Sequence, residues 1–366
     1  MLKSFNEVFE DRTKYGTKIK TDDYHDSGAH IIIDQGQERI AGYTDLEDGL
    51  FTEIPAIVFG DHTRVIKYVD EPFFLGADGV KVLRCKLDNA NYKYLYYALR
   101  NTRIPNTGYN RHFKWLKEAK ILYPNAEKQA QIVRVLDGVT DILDKRKKEL
   151  TKLDDLVKAR FVELFGDCRL NPKGWKTVPL GDIAEVGSSK RVFVEELKEA
   201  GIPFYRGTEV GALAEGKKVI PELFITEEHY DELVKATGKP EPGDLLMPSI
   251  CPDGRIWVVD TDKPFYFKDG RVLWIHEIDT RFDPVFLLYT LKDRIMTDYG
   301  SIASGTTFAE LKIFALKQCQ VFDVPIEEQR SFAAFIAQVD KSKIAVRKSL
   351  DETQLLFDSL MQKYFG

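Results

Sequence analysis

The sequence predicts a mixed α+β protein in which two α/β units are separated by two long helices that pair as an antiparallel intramolecular coiled coil. Three observations predict this fold class: an apolar heptad ladder, its recurrence two hundred residues later, and short β-like runs ahead of each copy. The recurrence indicates an internal duplication, and therefore a pseudo-two-fold arrangement. We place the first unit at 1–123, the first helix at 124–166, the second unit at 167–323 and the second helix at 324–366.

Apolar residues at alternating spacings of four and three predict the first long helix. Arg146 and Arg160 fill two steps of this ladder. A seam sustained over about five heptads is typical of a helix that packs along another helix. Pro124 near the start and Gly166 at the end suit the helix boundaries. The apolar positions are Ile132, Leu136, Val139, Leu143, Leu150, Leu153, Val157 and Leu164.

The second long helix repeats these features, with Lys343 and Thr353 at its polar steps. Its apolar positions are Phe332, Ile336, Val339, Val346, Leu350, Phe357, Leu360 and Tyr364. Both copies open with a proline and a Glu-x-Gln and close on Phe-Gly. These residues are Pro124, Glu127, Gln129 and Phe165–Gly166 in the first copy, and Pro325, Glu327, Gln329 and Phe365–Gly366 in the second.

We expect the two helices to bury their ladders against each other as an intramolecular seam. The alternative is a pair of surface helices whose heptad-like spacing is accidental. The residues predicted to form the seam are Leu136, Val139, Leu143, Leu150, Leu153, Val157, Ile336, Val339, Val346, Leu350 and Phe357.

Short β-like runs broken by glycine, aspartate and proline predict a mixed α/β first unit. The runs are Ile31–Ile33, Ala56–Phe59 and Val65–Val69, and Tyr92–Leu99 reads as a helix. After this helix the sequence turns basic, with aromatic residues interleaved. Such a mixture is expected where a groove meets a phosphate backbone and bases, although a solvated basic loop with its aromatics in the core is the alternative. The residues are Arg100, Arg103, Arg111, Lys114, Lys117, Lys120, Tyr109, Phe113 and Trp115.

Two further stretches of the first unit are candidates for nucleic-acid contact. Lys14 and Lys18 belong to a basic cluster around Tyr15. Residues 60–64 form a polar turn ending in Arg64, and arginine is the commonest reader of guanine. For Asp61 in this turn, a plain hairpin with an ion pair is the favoured interpretation.

Residues 166–176, which include 171–174, have the glycine, proline and asparagine content of a domain boundary, after which a second α/β unit is expected. Residues 201–209 predict a β-edge followed by a polar turn, and Arg255–Val259 predicts a strand. A strand is also expected directly after 242–247, and a helix over Pro284–Met296. Near the end of this unit, residues 308–312 echo residues 113–117 as a shared Phe-x-x-Leu-Lys pattern.

The sequence predicts a globular protein with neither a membrane span nor a signal peptide. Its four isolated cysteines predict buried free thiols in a reducing, cytoplasmic setting, and no metal site. They are Cys85, Cys168, Cys251 and Cys319. The net charge of −5 requires that any nucleic-acid contact rest on local clusters or on a partner.

Catalytic motifs are missing from the sequence: no phosphate loop, nucleophile elbow or His-Glu-x-x-His pair occurs. Asp283–Phe286 approaches an adenine-methyltransferase motif but lacks its second proline. A nuclease using Glu310 and Lys312 with an upstream aspartate is an alternative, which the apparent match of Lys312 to Lys117 disfavours. We therefore predict that the chain is not an enzyme.

The order and period of these marks resemble the specificity subunit of type I restriction-modification systems over essentially the whole chain. The marks are the two Glu-x-Gln helices ending in Phe-Gly, the opening Gly166–Asp167 with Asn171–Trp175, and the stretch Gly201–Thr208. Two departures stand out: the first unit lacks the Gly-Trp lead-in of the second, and the two units share little sequence. The second departure implies two different DNA half-sites.

The resemblance implies that each α/β unit is a target recognition domain and that the helices are a fixed-length spacer. It implies double-stranded DNA, two methyltransferase subunits and motor-nuclease subunits as partners, and no membrane. S-adenosylmethionine would be held by the methyltransferases, ATP and Mg²⁺ by the motor-nuclease, and no cofactor by this chain. A non-catalytic tandem scaffold with a coiled-coil strut, binding protein or carbohydrate, remains the alternative. The residues predicted to contact DNA are Lys14, Lys18, Arg64, Tyr109, Arg111, Lys190, Arg191, Arg206, Thr208 and Arg271.

Overall fold

A computed structural model of the chain divides into two compact units. Unit 1 comprises Met1–Glu149 and Val346–Gly366, and unit 2 comprises Leu150–Ala345. The structure describes residues 1–76, 78–108, 110–305 and 309–366.

Short strands and a few helices precede each of two 40-residue helices. The strands before the first long helix are β1 (Leu2–Ser4), β2 (Phe9–Asp11), β3 (His30–Ile33), β4 (Gly42–Thr44), β5 (Ala56–Gly60), β6 (Ile66–Val69), β7 (Phe73–Leu75), β8 (Val80–Cys85) and β9 (Lys120–Leu122). The helices there are α1 (Phe5–Val8), α2 (Tyr92–Arg100), α3 (Phe113–Leu116) and the long α4 (Ala126–Phe165).

The second half of the chain repeats this content. Its strands are β10 (Lys176–Pro179), β11 (Glu185–Gly187), β12 (Ile202–Tyr205), β13 (Phe224–Ile225), β14 (Leu245–Pro248), β15 (Trp257–Val258), β16 (Tyr266–Phe267), β17 (Val272–His276), β18 (Ala303–Ser304), β19 (Glu310–Leu311) and β20 (Gln320–Asp323). Its helices are α5 (Gly207–Ala214), α6 (Glu227–Thr237), α7 (Pro284–Ile302), α8 (Ile313–Lys317) and the long α9 (Ile326–Phe365).

In unit 1 a four-stranded antiparallel sheet has the order β2-β8-β5-β6, and a three-stranded sheet has the order β4-β3-β7 with β3 parallel to β7. One face of the larger sheet packs Ile57 and Leu83 against Tyr94 and Leu95 of α2. The opposite face carries Val58 and joins the core of the smaller sheet. This alternation follows from the two-residue period of a strand.

Unit 2 has the same sheet topology. Its larger sheet has the order β11-β17-β14-β15, and its smaller sheet the order β13-β12-β16 with β12 parallel to β16. In both units the first strand pairs antiparallel with the last strand before a long helix, β1 with β9 and β10 with β20. Shared topology with little shared sequence confirms the predicted internal duplication.

The duplication also corrects one alignment made from the sequence. Helices α3 and α8 begin at Phe113 and Ile313, the same distance before each long helix. Leu116 and Leu316 are buried at equivalent places, so Lys317, and not Lys312, corresponds to Lys117. The echo at residues 308–312 is therefore wrong in register, because residues 310–311 form strand β19; Phe308 itself lies outside the described residues.

Within unit 1 the start of α4 packs against the end of α9. Leu136 is fully buried and lies in one apolar cluster with Val139, Leu143, Phe357 and Met361. Because the start of one helix meets the end of the other, the pair is antiparallel, as the heptad pattern predicts.

Within unit 2 the end of α4 packs against the start of α9 through aromatic side chains. Phe161 lies 5.6 Å, centroid to centroid, from Phe332 in an edge-to-face arrangement, and Val157, Ile336 and Val339 belong to the same cluster. The predicted seam residues Val346 and Phe357 of unit 1 are buried, whereas Leu150, Leu153 and Leu350 are half-buried.

One polar step of the predicted ladder is displaced. Phe161 is buried where the heptad places Arg160, and Met361 is likewise buried next to Leu360. An α-helix advances by 3.6 residues per turn and drifts relative to a 3.5-residue repeat, so the buried stripe moves on by one residue. Arg160 instead pairs with Glu163, with 2.8 Å between guanidinium nitrogen and carboxylate oxygen.

The Glu-x-Gln at the head of each long helix has a structural explanation. The side-chain Nε2 of Gln129 donates to the carbonyl oxygen of Pro124 at 2.9 Å, and that of Gln329 donates to the equivalent carbonyl of Val324 at 2.6 Å. Gln329 also donates to the carbonyl of Arg281, and its Oε1 accepts from the amide of Asp283 at 2.8 Å. Both glutamines are buried, and both tie the helix start to the segment before it.

The predicted polar turn after β12 is wrong, because α5 begins at Gly207. Arg206 precedes this helix, and its amide donates to Oε2 of Glu209 at 2.9 Å. Burial raises the pKa of Glu209, but hydrogen bonds from Arg206 and Thr208 outweigh it and lower the pKa to about 2.

Strand β15 is shorter than the predicted Arg255–Val259, and α7 extends to Ile302, beyond the predicted end.

Replacing Leu136 by aspartate tests the helix seam. Leu136 is fully buried, and an unpaired charge there should destabilise the fold by roughly 3–5 kcal/mol. The urea unfolding midpoint measures this loss. The neighbouring Val135→Asp is the matched control, because Val135 is 36% exposed and should tolerate the charge. Equal midpoints for the two variants would contradict the seam.

The pKa of Glu209 predicts a pH-dependent contribution to stability. A depressed carboxyl pKa stabilises the folded state above the ordinary value of 4.5, and this contribution is lost as the pH falls through about 2. Glu209→Gln should therefore lower the thermal midpoint at pH 7, and the difference from the parent protein should shrink steadily below pH 4.5. Glu222→Gln, which removes the exposed second partner of Arg206, is the control and should change little. A difference independent of pH would refute the assignment.

Candidate nucleic-acid interface

In unit 1 several loops converge at one end of the two sheets. The side-chain Nε2 of Gln35 donates to the carbonyl of Asp78 at 3.1 Å, and Thr63 Oγ1 donates to the carbonyl of Gln35 at 2.6 Å. Gln35 Oε1 accepts from the amide of His62 at 3.2 Å. We call this surface loop face 1; it comprises residues 12–18, 34–36, 60–65, 78–79, 103–108 and 110–112.

Asp61 is a buried residue of loop face 1 that fixes the surrounding loops through hydrogen bonds. It is 3% exposed, and its carboxylate Oδ1 accepts from the amide of Phe113 at 2.7 Å. Its backbone amide donates to the carbonyl of Gly79, and its carbonyl accepts from the amide of His112 at 2.8 Å. The structure thus gives Asp61 a structural role through backbone hydrogen bonds rather than through the ion pair that the sequence favoured.

Basic side chains predicted to contact DNA lie on loop face 1. Lys14 is exposed beside the ring of Tyr15, and Lys18 forms an exposed ion pair with Asp78 at 2.7 Å. The hydrogen bond from Lys18, and then the charges of Lys18 and Arg111, lower the pKa of Asp78, so Arg111 belongs to the same electrostatic neighbourhood. Arg64 lies in the turn that follows β5. Tyr109, also predicted, lies outside the described residues.

The basic stretch of residues 100–120 does not form one surface. Arg100 lies over the rings of Tyr96 and Phe357, next to the helix pair. Phe113 is buried at the start of α3, with Lys117 4.8 Å from its ring centroid. Only the part of this stretch that precedes α3 therefore contributes to loop face 1.

Unit 2 brings its corresponding loops together as well. Ser188 Oγ donates to the carbonyl of Val272 at 2.7 Å, and the amide of Gly270 donates to Ser188 Oγ at 2.9 Å. Ser249 donates its amide to the carbonyl of Arg271, and the amide of Leu311 donates to the carbonyl of Ser249. We call this surface loop face 2; it comprises residues 188–191, 206–215, 249–255, 268–271 and 309–312.

The cations predicted in unit 2 lie on loop face 2, and its arginines are held by carboxylates. Arg191 pairs with Asp269 at 3.1 Å, and Arg206 pairs with Glu209 and Glu222. Arg271 and Lys312 share the carboxylate of Glu310. Lys190 is exposed, and Thr208 donates its hydroxyl to Glu209 at 2.9 Å.

Exposed ion pairs occur on both loop faces, since Lys18 also pairs with an acid on loop face 1. Ion pairs on exposed surfaces contribute little stability, so their partners can be exchanged for other anions. The hydrogen bond from Lys312, and the charges of Arg271 and Lys312, hold the pKa of Glu310 below its usual range, which keeps it ionised. This arrangement describes Glu310 and Lys312 as members of an ion-pair cluster rather than of a nuclease site.

Some residues that build the loop faces were not identified from the sequence. Gln35 joins three loops, and Arg255 approaches Asp253 at 2.8 Å and Glu215 at 3.9 Å. The available signal for Gln35 was its position, a polar residue in the loop directly after a buried strand. For Arg255 the sequence predicted a strand, so its loop position was missed.

The four cysteines are free; three are buried, and Cys85 is half-buried. Burial is the main cause that raises the pKa of Cys251 to about 12. Among residues 1–76, 78–108, 110–305 and 309–366, no group of three or more His, Cys, Asp or Glu side chains is placed to hold a metal ion. No helix in this part of the chain is long and apolar enough to cross a membrane.

Solved structures resemble this chain along its full length. The S subunit of a type I restriction-modification system from M. genitalium matches with a TM-score of 0.59 and 17% identity, covering 100% of this chain and 96% of that one. A second chain, from a study of complex assembly and conformational transition of the type I R-M system, matches with a TM-score of 0.54 and 17% identity over 100% and 97% of the two chains. These matches confirm the predicted fold class.

Curated relatives carry the same description. The putative type I restriction enzyme specificity subunit S.HindORF215P of Haemophilus influenzae is 25% identical over 287 residues, 76% of this chain and 71% of that protein. The EcoR124I/EcoR124II specificity subunit of Escherichia coli is 29% identical over 240 residues, 60% of this chain and 56% of that protein. The MjaIX specificity subunit of Methanocaldococcus jannaschii is 24% identical over 270 residues, 68% and 60% of the two. The chain thus spans less than two thirds of the length of the last two relatives.

A family model described as the type I restriction modification DNA specificity domain matches the chain twice, at residues 2–153 and 172–353. The two matches coincide with the two halves of the duplication and together span most of the sequence. The chain therefore belongs to the type I restriction modification DNA specificity domain family, and its part in such a system is DNA recognition rather than catalysis.

Proposed function

We propose that this chain is the sequence-specific DNA-binding subunit of a type I restriction-modification complex and that it recognises a bipartite target. Each unit reads one half-site through its own loop face. The observation that carries this proposal is the repetition of one scaffold with two differently composed loop faces. A duplicated scaffold keeps the mode of docking, while different loop side chains select different bases.

On loop face 1 the cations suit contact with phosphates. Lys14 is exposed, Lys18 pairs with Asp78, and the charge of Arg111 acts on the same carboxylate. Phosphate contacts position a protein on the duplex, whereas contacts with base edges specify the sequence. Loops held by Gln35 and Asp61 provide the fixed geometry that base contacts require.

On loop face 2 binding requires an exchange of partners. Arg191 and Arg271 each have a carboxylate partner in the free chain. Phosphate oxygens can replace these carboxylates, but the released acids then repel the DNA backbone. Affinity of the isolated chain should consequently be modest and strongly dependent on salt, and a partner that supplies further phosphate contacts would raise it.

The long helices supply a spacer and a docking surface in this proposal. Apolar side chains outside the seam remain exposed along both helices. On α4 the exposed residues Val135 and Ile142 are one heptad apart and therefore lie on the same side of the helix. On the other helix Ile344, Leu355 and Leu356 are exposed as well. Exposed apolar stripes of this kind suit helices of partner subunits, here two methyltransferase subunits.

Cofactors belong to the partners in this proposal. S-adenosylmethionine is bound by the methyltransferase subunits, and ATP with Mg²⁺ by the motor-nuclease subunits that join the complex. The chain itself contributes recognition and geometry, and it works in the cytoplasm, where genomic DNA is accessible.

Exchanging the first recognition unit tests the proposal. Residues 1–123 are replaced by the equivalent segment of a relative with a different target, and the methylated motif is read by sequencing genomic DNA from cells that carry the methyltransferase subunits. One half-site should change to that of the relative, while the other half-site and the gap should stay the same. Exchange of 167–323 should change the opposite half-site.

Two results would count against the proposal. A motif in which both half-sites change after one exchange would mean that the units do not read independently. The scaffold alternative would be favoured if the full chain with its partners shows no DNA affinity at any salt concentration. Specific binding to DNA weakens steeply as the salt concentration rises, whereas a scaffold protein has no affinity for DNA that salt could weaken.

A further inference from the structure

Arg64 has a backbone conformation that arginine rarely adopts. Its φ is +64°, in the left-handed region where a Cβ atom crowds the following carbonyl oxygen. Asn89, Asn171 and Glu277 share this region, and asparagine tolerates it well. Arginine occupies a place where glycine would fit without strain.

The turn that carries Arg64 is fixed on several sides. The amide of Arg64 donates to the carbonyl of Gly60 at 2.7 Å, which closes the turn. Asp61 ties the turn to the start of α3, and Thr63 ties it to Gln35. The surrounding contacts therefore impose the backbone conformation, and the direction of the Arg64 Cα–Cβ bond is set before any ligand binds.

The guanidinium of Arg64 retains unused hydrogen-bonding capacity. Its Nη1 lies 3.5 Å from the carbonyl of Ile104, at the long end for a hydrogen bond. Its buried Nε has no hydrogen-bond partner within the described part of the chain. By contrast, Arg12 pairs with Glu53 at 2.7 Å. No carboxylate forms an ion pair with Arg64 among the described residues, so its charge is not already neutralised.

We propose that Arg64 is a specificity-determining residue that reads a guanine in the half-site of unit 1. The planar guanidinium donates two parallel hydrogen bonds, which match the O6 and N7 acceptors of guanine in the major groove. A rigid turn suits this task, because bidentate contact demands a fixed approach direction. The inference rests on the proposed function, since it names a base reader on loop face 1.

Substitution of Arg64 by glycine distinguishes a role in base recognition from a role in stabilising the fold. The test uses the full chain with its methyltransferase subunits, and duplexes in which each base pair of the half-site is changed in turn. Arg64→Gly and Arg64→Ala should each lose about ten-fold or more in discrimination at one G·C pair and leave preferences elsewhere unchanged. Arg64→Gly should also unfold at a temperature no lower than the parent protein, because glycine relieves the backbone strain.

Controls and opposing outcomes complete the test. Arg39→Ala is the matched control: Arg39 is exposed, pairs with Asp70 and Glu71, and should leave every base preference intact. Equal weakening on all duplexes by Arg64→Ala would identify a phosphate contact and overturn the inference, while leaving the proposed function standing. A lower unfolding temperature for Arg64→Gly, with discrimination preserved, would assign Arg64 a structural role. If the parent complex shows no base preference, the proposed function fails together with the inference.

Discussion

Burial of one apolar stripe along each 40-residue helix is the constraint on which the rest of the structure depends. An isolated amphipathic helix of this length gains little stability in water unless its apolar face is covered. In unit 1 the cover comes from Phe357 and Met361 together with α2, and in unit 2 from Phe332, Ile336 and α7. Each α/β unit is thereby joined to the helices through its own core.

The duplication separates what must be kept from what can change. Both halves keep the same strand order, the strand pair that closes each unit, and a buried glutamine at the head of each long helix. The loop faces have diverged: Lys18 pairs with Asp78 in unit 1, whereas Arg206 and Arg271 are each held by acids in unit 2. A conserved frame with divergent loops is what recognition of two different half-sites requires.

The sequence predicted what short-range pattern determines. Heptad spacing gave the helices and their pairing, and strands such as β5 followed from composition. The displaced step at Arg160 was missed because a strict heptad ignores the drift of a helix with 3.6 residues per turn, which brings Phe161 to the seam. Helix α5 was missed because its start is fixed by the Arg206–Glu209 contacts. The loop faces depend on bonds between distant residues, such as Gln35 with Asp78, that no local pattern reveals.

The central claim is that the helices set the gap between two half-sites read by two independent units. It is tested most directly by inserting four residues between Leu150 and Leu153 of α4 and reading the methylated motif from genomic DNA. The insertion lengthens the helix by about 6 Å, slightly more than one turn. We expect lower stability and, in the surviving complex, both half-sites unchanged with a gap altered by one or two base pairs. An unchanged gap, or a motif with altered half-site bases, would contradict the account.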